Sequence, residues 1–310
     1  MSNKISASYM SAERASQDVE RKEVQESIFI GAATTGRMTL IEKSYDKRII
    51  ILLIISPVWT LLFTAVPVVI TFHGIAADIY RFAEPVVSLP ISYFILTSAE
   101  VFTDQNHEEA LVFKNLSERS FLNIWFLIGA ALYAQGAAMH ATAIIAKHNI
   151  ENLITTYPNI TTQYPAVNDS YVYFQETLEH TIGHYLYAFG AVLITWAQLF
   201  AYRHQRHYNL HSKVSLFGWI LGGILYSFLL AGVAIEFPKG TIVGLAYVLV
   251  VGVPLALYLL KDKSLFSRGK RLVLQSYLLG YVVAFVIIVI WIIIVGGFKD
   301  RKSTGLFAKG

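Results

Sequence analysis

The chain has 310 residues, of which 55% are hydrophobic and 15% are charged, with a formal net charge of +4 and a mean hydropathy of +0.51. This composition indicates a multi-pass membrane protein. The sequence holds no cysteine, which excludes disulfides, thiolate metal sites and acyl-cysteine intermediates. Because the basic residues concentrate beside the apolar segments, no nucleic-acid partner is predicted and the bilayer is the expected environment.

The N-terminal segment, residues 1–45, is polar and rich in Ser, Glu and Lys. It lacks an apolar core, so we predict a disordered cytosolic segment and neither a signal peptide nor a packed domain. Residues 46–298 are predicted to form a transmembrane helical domain, followed by a short C-terminal tail at 299–310. Within that domain, Gly218 and Gly222 have the spacing of a close helix–helix contact.

A helix needs about 20 predominantly apolar residues to cross a bilayer. Six segments clearly meet this requirement. They are, approximately, Ile49–Phe72, Phe121–Ala143, Thr181–Tyr202, Val214–Ile235, Thr241–Leu260 and Leu272–Gly297. A seventh, at about Phe82–Ala99, contains Glu84, Pro85 and Pro90, which predict a kinked or re-entrant helix. The predicted fold is therefore an all-α polytopic bundle of about seven transmembrane helices.

The positions of Lys and Arg indicate how the chain is oriented, because cytosolic loops collect positive charge. Counted in chain order, with Phe82–Ala99 as the second span, these residues concentrate before the first span, after the fourth (Thr181–Tyr202) and after the sixth (Thr241–Leu260). The pattern predicts a cytosolic amino terminus and, with seven spans, a lumenal carboxyl terminus, although the C-terminal tail is itself basic. The loop at 149–178 is then lumenal, and its sequons at Asn159 and Asn168 are predicted glycosylation sites.

Ionisable side chains inside a span are costly and by default indicate a functional site. In this chain nearly all of them lie toward the predicted lumenal side. The candidate functional cluster consists of His140, His148, Glu176, Glu179, His180, His184 and Glu236. His140 and His184 lie deepest and at matching depth, and the spacing of Glu176, His180 and His184 predicts one shared helix face. Taken singly, most of these residues also fit hydrogen-bonded packing positions or interfacial anchors.

Three of these histidines form a candidate metal site. Imidazole is a suitable Zn²⁺ ligand, and three protein ligands plus a water make a catalytic centre. His140, His180 and His184, with Glu179 or Glu236, predict such a centre as one alternative, an intramembrane metal-dependent hydrolase or lipid-modifying enzyme. No H-E-x-x-H pattern accompanies them, so no catalytic residue is assigned and Zn²⁺ is not a required cofactor.

The same segments resemble the ceroid-lipofuscinosis neuronal protein 6 family of endoplasmic-reticulum membrane proteins, over about residues 45–300. The residues that carry the resemblance are Gly136-Ala137-Ala138-Met139-His140, His148, Glu179-His180-Thr181-Ile182-Gly183-His184, Tyr187, Glu236, Lys270-Arg271-Leu272 and Trp291. Three positions depart from the family pattern. Ile144 and His180 stand where acidic residues are expected, and Phe237 stands where glycine is expected.

This resemblance implies an endoplasmic-reticulum protein, not an enzyme, that supports lysosomal function. Such proteins recruit newly made lysosomal enzymes for transport from the endoplasmic reticulum to the Golgi, working with another membrane protein of that compartment. The implied partners are therefore lysosomal enzyme precursors or a second endoplasmic-reticulum membrane protein, and a homo-oligomer is left open. The loop at 149–178 is the natural cargo surface, and the buried histidines could sense pH, since imidazole changes charge between secretory compartments.

Overall fold

The apolar segments form helices in the computed structural model of the protein, which describes residues 47–63, 75–104, 111–113, 115–207, 210 and 212–305. In chain order the helices are α1 (47–63), α2 (Ile75–Thr97), α3 (Glu100–Thr103), α4 (Glu118–Thr156), α5 (Ile160–Gln163), α6 (Pro165–Val172), α7 (His184–Ala201), α8 (Lys213–Glu236), α9 (Gly240–Lys261), α10 (Leu272–Val295) and α11 (Arg301–Thr304). A π-helical segment, Tyr173–Gly183, joins α6 to α7. Strands β1 (Leu111–Phe113) and β2 (Leu116–Ser117) form a short antiparallel pair.

Within the described residues, five helices are long and apolar enough to cross a membrane. They are Glu118–Thr156, Pro165–Ala201, Lys213–Glu236, Gly240–Lys261 and Leu272–Val295. The prediction of an all-α, multi-pass membrane protein is therefore confirmed. A shorter apolar helix covers Phe82–Thr97, and α1 has the apolar sequence of the first predicted span over its described length.

Several predicted boundaries differ from the observed ones. The second segment begins earlier than the predicted Phe82, because α2 runs from Ile75 to Thr97 with Pro85 and Pro90 inside it. The helix of the third span continues through the start of the predicted loop and ends at Thr156. Residues 149–178 as a whole, which we call the distal lobe, are largely helical. The predicted disordered segment 1–45 lies outside the described residues.

Helices α4 and α7 pack antiparallel at very short range because glycines line the contact. A Cβ atom on Gly136 would lie 2.2 Å from the backbone nitrogen of Tyr187, and one on Gly190 would lie 2.3 Å from that of Tyr133. Gly183 likewise faces the backbone of His140. Small residues allow such an approach between helices in a membrane, and this interface sets the positions of the histidines.

The remaining helices form a second group. Helix α8 packs against α9 and α10, and α9 packs against α10. Helix α1 lies on α8 at the predicted glycine motif, where a Cβ on Gly218 would meet Ile50 and one on Gly222 would meet the carbonyl oxygen of Leu53 at 3.0 Å. The predicted helix–helix contact at Gly218 and Gly222 is confirmed.

All these helices alternate in direction, so the bundle has two ends. The histidine end holds the carboxyl terminus of α8 and the amino terminus of α7, with His184 and Glu236. The basic end holds the opposite termini, with Arg203, Asp262 and Arg271. The basic tail reaches the histidine end, where Arg301 pairs with Glu236 at 2.6 Å.

Candidate functional site

The centre of the candidate site is a stack of aromatic rings at the α4–α7 interface. The ring centroids of His140 and His184 are 4.5 Å apart, and those of His180 and His184 are 5.4 Å apart. On another side, Phe237 stacks on His184 at 4.1 Å with 11° between the planes. His184 is 7% exposed, and its buried Nδ1 has no hydrogen-bond partner among the described residues. The structure thus brings together the three histidines that the sequence singled out.

A buried ion pair lies beside this stack. Lys147 Nζ donates to Glu179 Oε2 at 2.9 Å, and the two side chains are 14% and 7% exposed. Lys147 comes from α4 and Glu179 from the π-helical segment, so the pair links the same two elements as the histidines. Removing one partner of a buried pair leaves an uncompensated charge, and the two side chains therefore depend on each other.

The π-helical geometry alters the helix face that the sequence predicted. Residues Tyr173–Gly183 are π-helical, so their backbone hydrogen bonds span five residues, and the Thr181 Oγ1 hydroxyl also donates to the carbonyl oxygen of Glu176. His180 and His184 remain in contact, whereas Glu176 is exposed and Glu179 is buried. Short π-helical segments occur frequently at functional sites, and this one carries three of the predicted cluster residues, Glu176, Glu179 and His180.

A second polar cluster, not predicted as such, surrounds Glu84 inside the bundle. Ser88 Oγ donates to Glu84 Oε1 at 2.6 Å, and Tyr133 OH donates to the same oxygen at 2.5 Å. The hydroxyls of Tyr133 and Tyr187 are 2.7 Å apart. Glu84 Oε2 is buried and has no hydrogen-bond partner among the described residues. The only signal in the sequence was the carboxyl group itself in an apolar segment.

Other predicted cluster residues lie apart from the stack. His148 is exposed on α4, and its side chain makes no ring contact or hydrogen bond within the described part of the chain. Glu236 pairs with Arg301, so its neighbour Phe237, and not its carboxylate, reaches the histidines. The predicted glycosylation sites Asn159 and Asn168 are both exposed in the distal lobe.

The predicted zinc site requires three side chains whose donor atoms point to one position. Among the described residues, no group of three or more His, Cys, Asp or Glu side chains is arranged to hold a metal ion. His140, His180 and His184 meet through tilted and edge-on rings, whereas a zinc ligand must direct a ring nitrogen to a common point about 2.0–2.1 Å away. The ligand set therefore stays a prediction from the sequence.

A cavity of about 420 Å³ lies next to the stack. Residues of α1, α2, α4, α7, α8, α9 and α10 line it, and Phe237 and Tyr185 form part of its wall at the histidine end. Tyr133 and Tyr187, which connect to Glu84, also line it. The cavity and the ionisable clusters thus share a wall.

The basic end contains a polar network that the sequence did not reveal. Arg271, 4% exposed, donates to both carboxylate oxygens of Asp262 at 2.9 and 3.1 Å, and to the carbonyl oxygens of Arg203 and Gln205 at 3.0 Å. Hydrogen bonding from Arg271 holds the pKa of Asp262 below its usual value. This network ties the loop after α7 to the loop before α10.

His207 is buried in the same network. Its backbone N–H donates to the carbonyl oxygen of Lys270, and its Nε2 lies 3.2 Å from Gln205 Nε2. Burial, with the nearby charge of Arg271, lowers the pKa of His207 to about 4. The side chain is consequently neutral at physiological pH.

No family model, curated protein or solved structure matches this chain. The resemblance to the ceroid-lipofuscinosis neuronal protein 6 family therefore stays a prediction.

Proposed function

We propose that this chain is an endoplasmic-reticulum membrane protein that recruits newly made lysosomal enzymes for export, without itself catalysing a reaction. The observation that supports this proposal most directly is the surface of the distal lobe. Its exposed large apolar side chains are Leu153, Tyr157, Tyr164, Val172 and Tyr173, each 38–63% exposed. Three of them are tyrosines, which are enriched at protein interfaces and their hot spots.

The lobe is suited to hold such a surface in a fixed shape. Helix α4 has 39 residues and is ~58 Å long at ~1.5 Å per residue, well beyond a hydrocarbon core of ~30 Å. Tyr171 OH donates to Glu151 Oε1 at 2.8 Å, which fastens α6 to the end of α4. A surface ordered in this way loses less conformational freedom when it binds a partner.

The export proposal can be tested by co-purification of newly synthesised lysosomal enzymes with the tagged protein. The variants Tyr157→Ser and Tyr164→Ser should reduce the captured amount about tenfold, the effect of losing ~1.4 kcal/mol at a binding hot spot. Gln163→Ser, an exposed neighbour in the same lobe, is the matched control and should capture normally. Equal capture by all three variants would contradict the proposal.

The proposed arrangement in the membrane is seven spans with the basic end in the cytosol and the distal lobe in the lumen, as the Lys and Arg distribution supports. The absence of cysteine makes labelling of single introduced cysteines unambiguous. In intact microsomes, an impermeant maleimide should label Phe266→Cys and should label Thr162→Cys only after the membrane is opened. The reverse pattern would contradict this orientation.

A second candidate function is an intramembrane metal-dependent lipid hydrolase. The observation that favours it is the contact of His140, His180 and His184 beside an apolar cavity. It differs from the export proposal in requiring a bound metal, which elemental analysis detects directly.

A further inference from the structure

The cavity separates the two groups of helices over much of their length. On α7 its wall extends from Tyr185 to Gln198, a rise of ~20 Å at ~1.5 Å per residue. That distance is about two thirds of a ~30 Å hydrocarbon core. The space is therefore elongated along the helix axes and crosses the middle of the bundle.

The polar groups in the wall are largely bonded to one another. Tyr133 OH donates to Glu84, and the hydroxyl of Tyr187 is bonded to that of Tyr133. At the other end, Gln198 Nε2 donates to the carbonyl oxygen of Ser92 at 2.8 Å, and Gln198 Oε1 accepts from Tyr277. A buried water needs two to four polar partners, and these groups have little bonding capacity left to offer. Apart from the buried Trp196 Nε1, which has no hydrogen-bond partner among the described residues, the wall therefore offers few free polar groups and suits an apolar ligand.

The dimensions favour a single hydrocarbon chain. A volume of about 420 Å³ distributed over ~20 Å of helix rise describes a long and narrow space. That shape suits one extended hydrocarbon chain.

The cavity also has an opening toward the bilayer. Phe189 of α7 and Val243 of α9 both line it, yet they are 55% and 50% exposed. In a membrane, exposed side chains at this depth contact lipid, so a chain can enter sideways from the surrounding leaflet without crossing water.

We propose that this cavity binds one acyl chain of a membrane lipid, held between α7 on one side and α8 and α9 on the other. The ligand fills space that the side chains leave open and connects the two helix groups, with its chain passing the wall of Tyr133 and Tyr187. Binding of an acyl chain in the cavity does not depend on cargo binding, so it can be tested on the purified protein alone.

The test is photolabelling of the full-length protein in phosphatidylcholine vesicles. One probe is a phosphatidylcholine with a diazirine in the middle of an acyl chain, another is the corresponding fatty acid, and a third is a photoactivatable sterol. Two variants fill the cavity, Leu230→Trp from α8 and Ala191→Phe from α7. Phe228→Trp, on a side chain that is 52% exposed and outside the cavity wall, is the matched control.

The acyl probes should label peptides of α7 and α8 that line the cavity. Either filling variant should reduce this labelling at least about fivefold, equivalent to ~1 kcal/mol, and Phe228→Trp should leave it unchanged. Labelling by the fatty acid alone would identify a free fatty acid as the source of the chain, and labelling by the phospholipid would identify a bilayer lipid. Equal labelling of the control and both filling variants, or cavity labelling by the sterol alone, would overturn the proposal.

Discussion

The ring of Phe237 stacks on the imidazole of His184, with centroids 4.1 Å apart and an 11° angle between the planes. The two residues come from different helix groups, since His184 begins α7 and Phe237 caps the end of α8. Both are almost fully buried, at 6% and 7% exposed. Phe237 lines the cavity at the histidine end, and a glycine at position 237 would remove this contact.

Truncation of Phe237 should therefore destabilise the protein. Phe237→Ala removes a buried ring and leaves a void beside His184, so we expect the free energy of unfolding to fall by about 3 kcal/mol. Denaturant unfolding in detergent measures this change. Phe228→Ala, on an exposed ring of α8, should stay within about 0.5 kcal/mol of the parent. Equal losses of unfolding free energy in Phe237→Ala and Phe228→Ala would contradict a stabilising role for the contact between Phe237 and His184.

The glycine contact between α4 and α7 gives a sharper test. In Gly136→Ala the new Cβ atom would lie 2.2 Å from the backbone nitrogen of Tyr187, so the helices must separate, at a cost of ~3 kcal/mol or more. Gly232→Ala is the control, because its added Cβ would meet nothing within 4 Å beyond its chain neighbours and the backbone of its own helix, and alanine favours a helix by up to ~1 kcal/mol. Thermal unfolding of both variants should show a large loss for the first and none for the second.

Much of this fold follows from apolar segment length. Runs of about 20 apolar residues have to satisfy their backbone hydrogen bonds internally, so they form helices in a membrane. Glycines four residues apart also identified the surface of α8 that receives α1. The extension of α4 to Thr156 was missed because the segment after His148 is largely polar, and the search for apolar runs of about 20 residues does not detect a polar helix.

The part of the site that the sequence predicted consists of ionisable groups inside apolar segments, which are rare in membrane helices. His140 and His184 stood out as ionisable groups at matching depth, and the structure places their rings in contact. The residues that bind the carboxylates of Glu84 and Glu236 could not be predicted from the sequence. Tyr133 lies 49 residues from Glu84, and Arg301 lies 65 residues from Glu236, so only the packing of the whole bundle brings these pairs together.

The stability of the basic end should depend on pH through His207. Its pKa is about 4 in the folded protein and about 6.5 when unfolded, so the unfolded chain binds more protons between these values. Stability is therefore complete above pH ~6.5 and falls by about 3 kcal/mol as the pH decreases to ~4. Unfolding measured across this range should show the decrease, and His207→Gln should reduce its slope. An unchanged slope in the variant would assign the effect to other groups.

The buried guanidinium of Arg271 should depend on its carboxylate partner. In Asp262→Asn the charge of Arg271, only 5% exposed at its side chain, loses its anion, and we expect a loss of about 3–5 kcal/mol in the free energy of unfolding. Arg206 pairs with the same carboxylate but is 58% exposed, so Arg206→Gln should cost no more than ~1 kcal/mol. Chemical denaturation of the two variants distinguishes the buried contact from the exposed one. Similar losses would show that Arg271 is not the dominant partner.

Metal content separates the two candidate functions. The export proposal predicts no stoichiometric zinc in the purified protein, because the rings of His140 and His184 contact each other at a tilted angle and the face of His184 is covered by Phe237. Elemental analysis should give the same background value for the parent, for the double variant His140→Gln, His184→Gln, and for the exposed control His148→Gln. Thermal unfolding of each sample establishes that it is folded. About one zinc per chain in the parent and in His148→Gln, lost from the folded double variant, would instead favour the metal-dependent hydrolase and direct attention to lipids that reach the adjoining cavity.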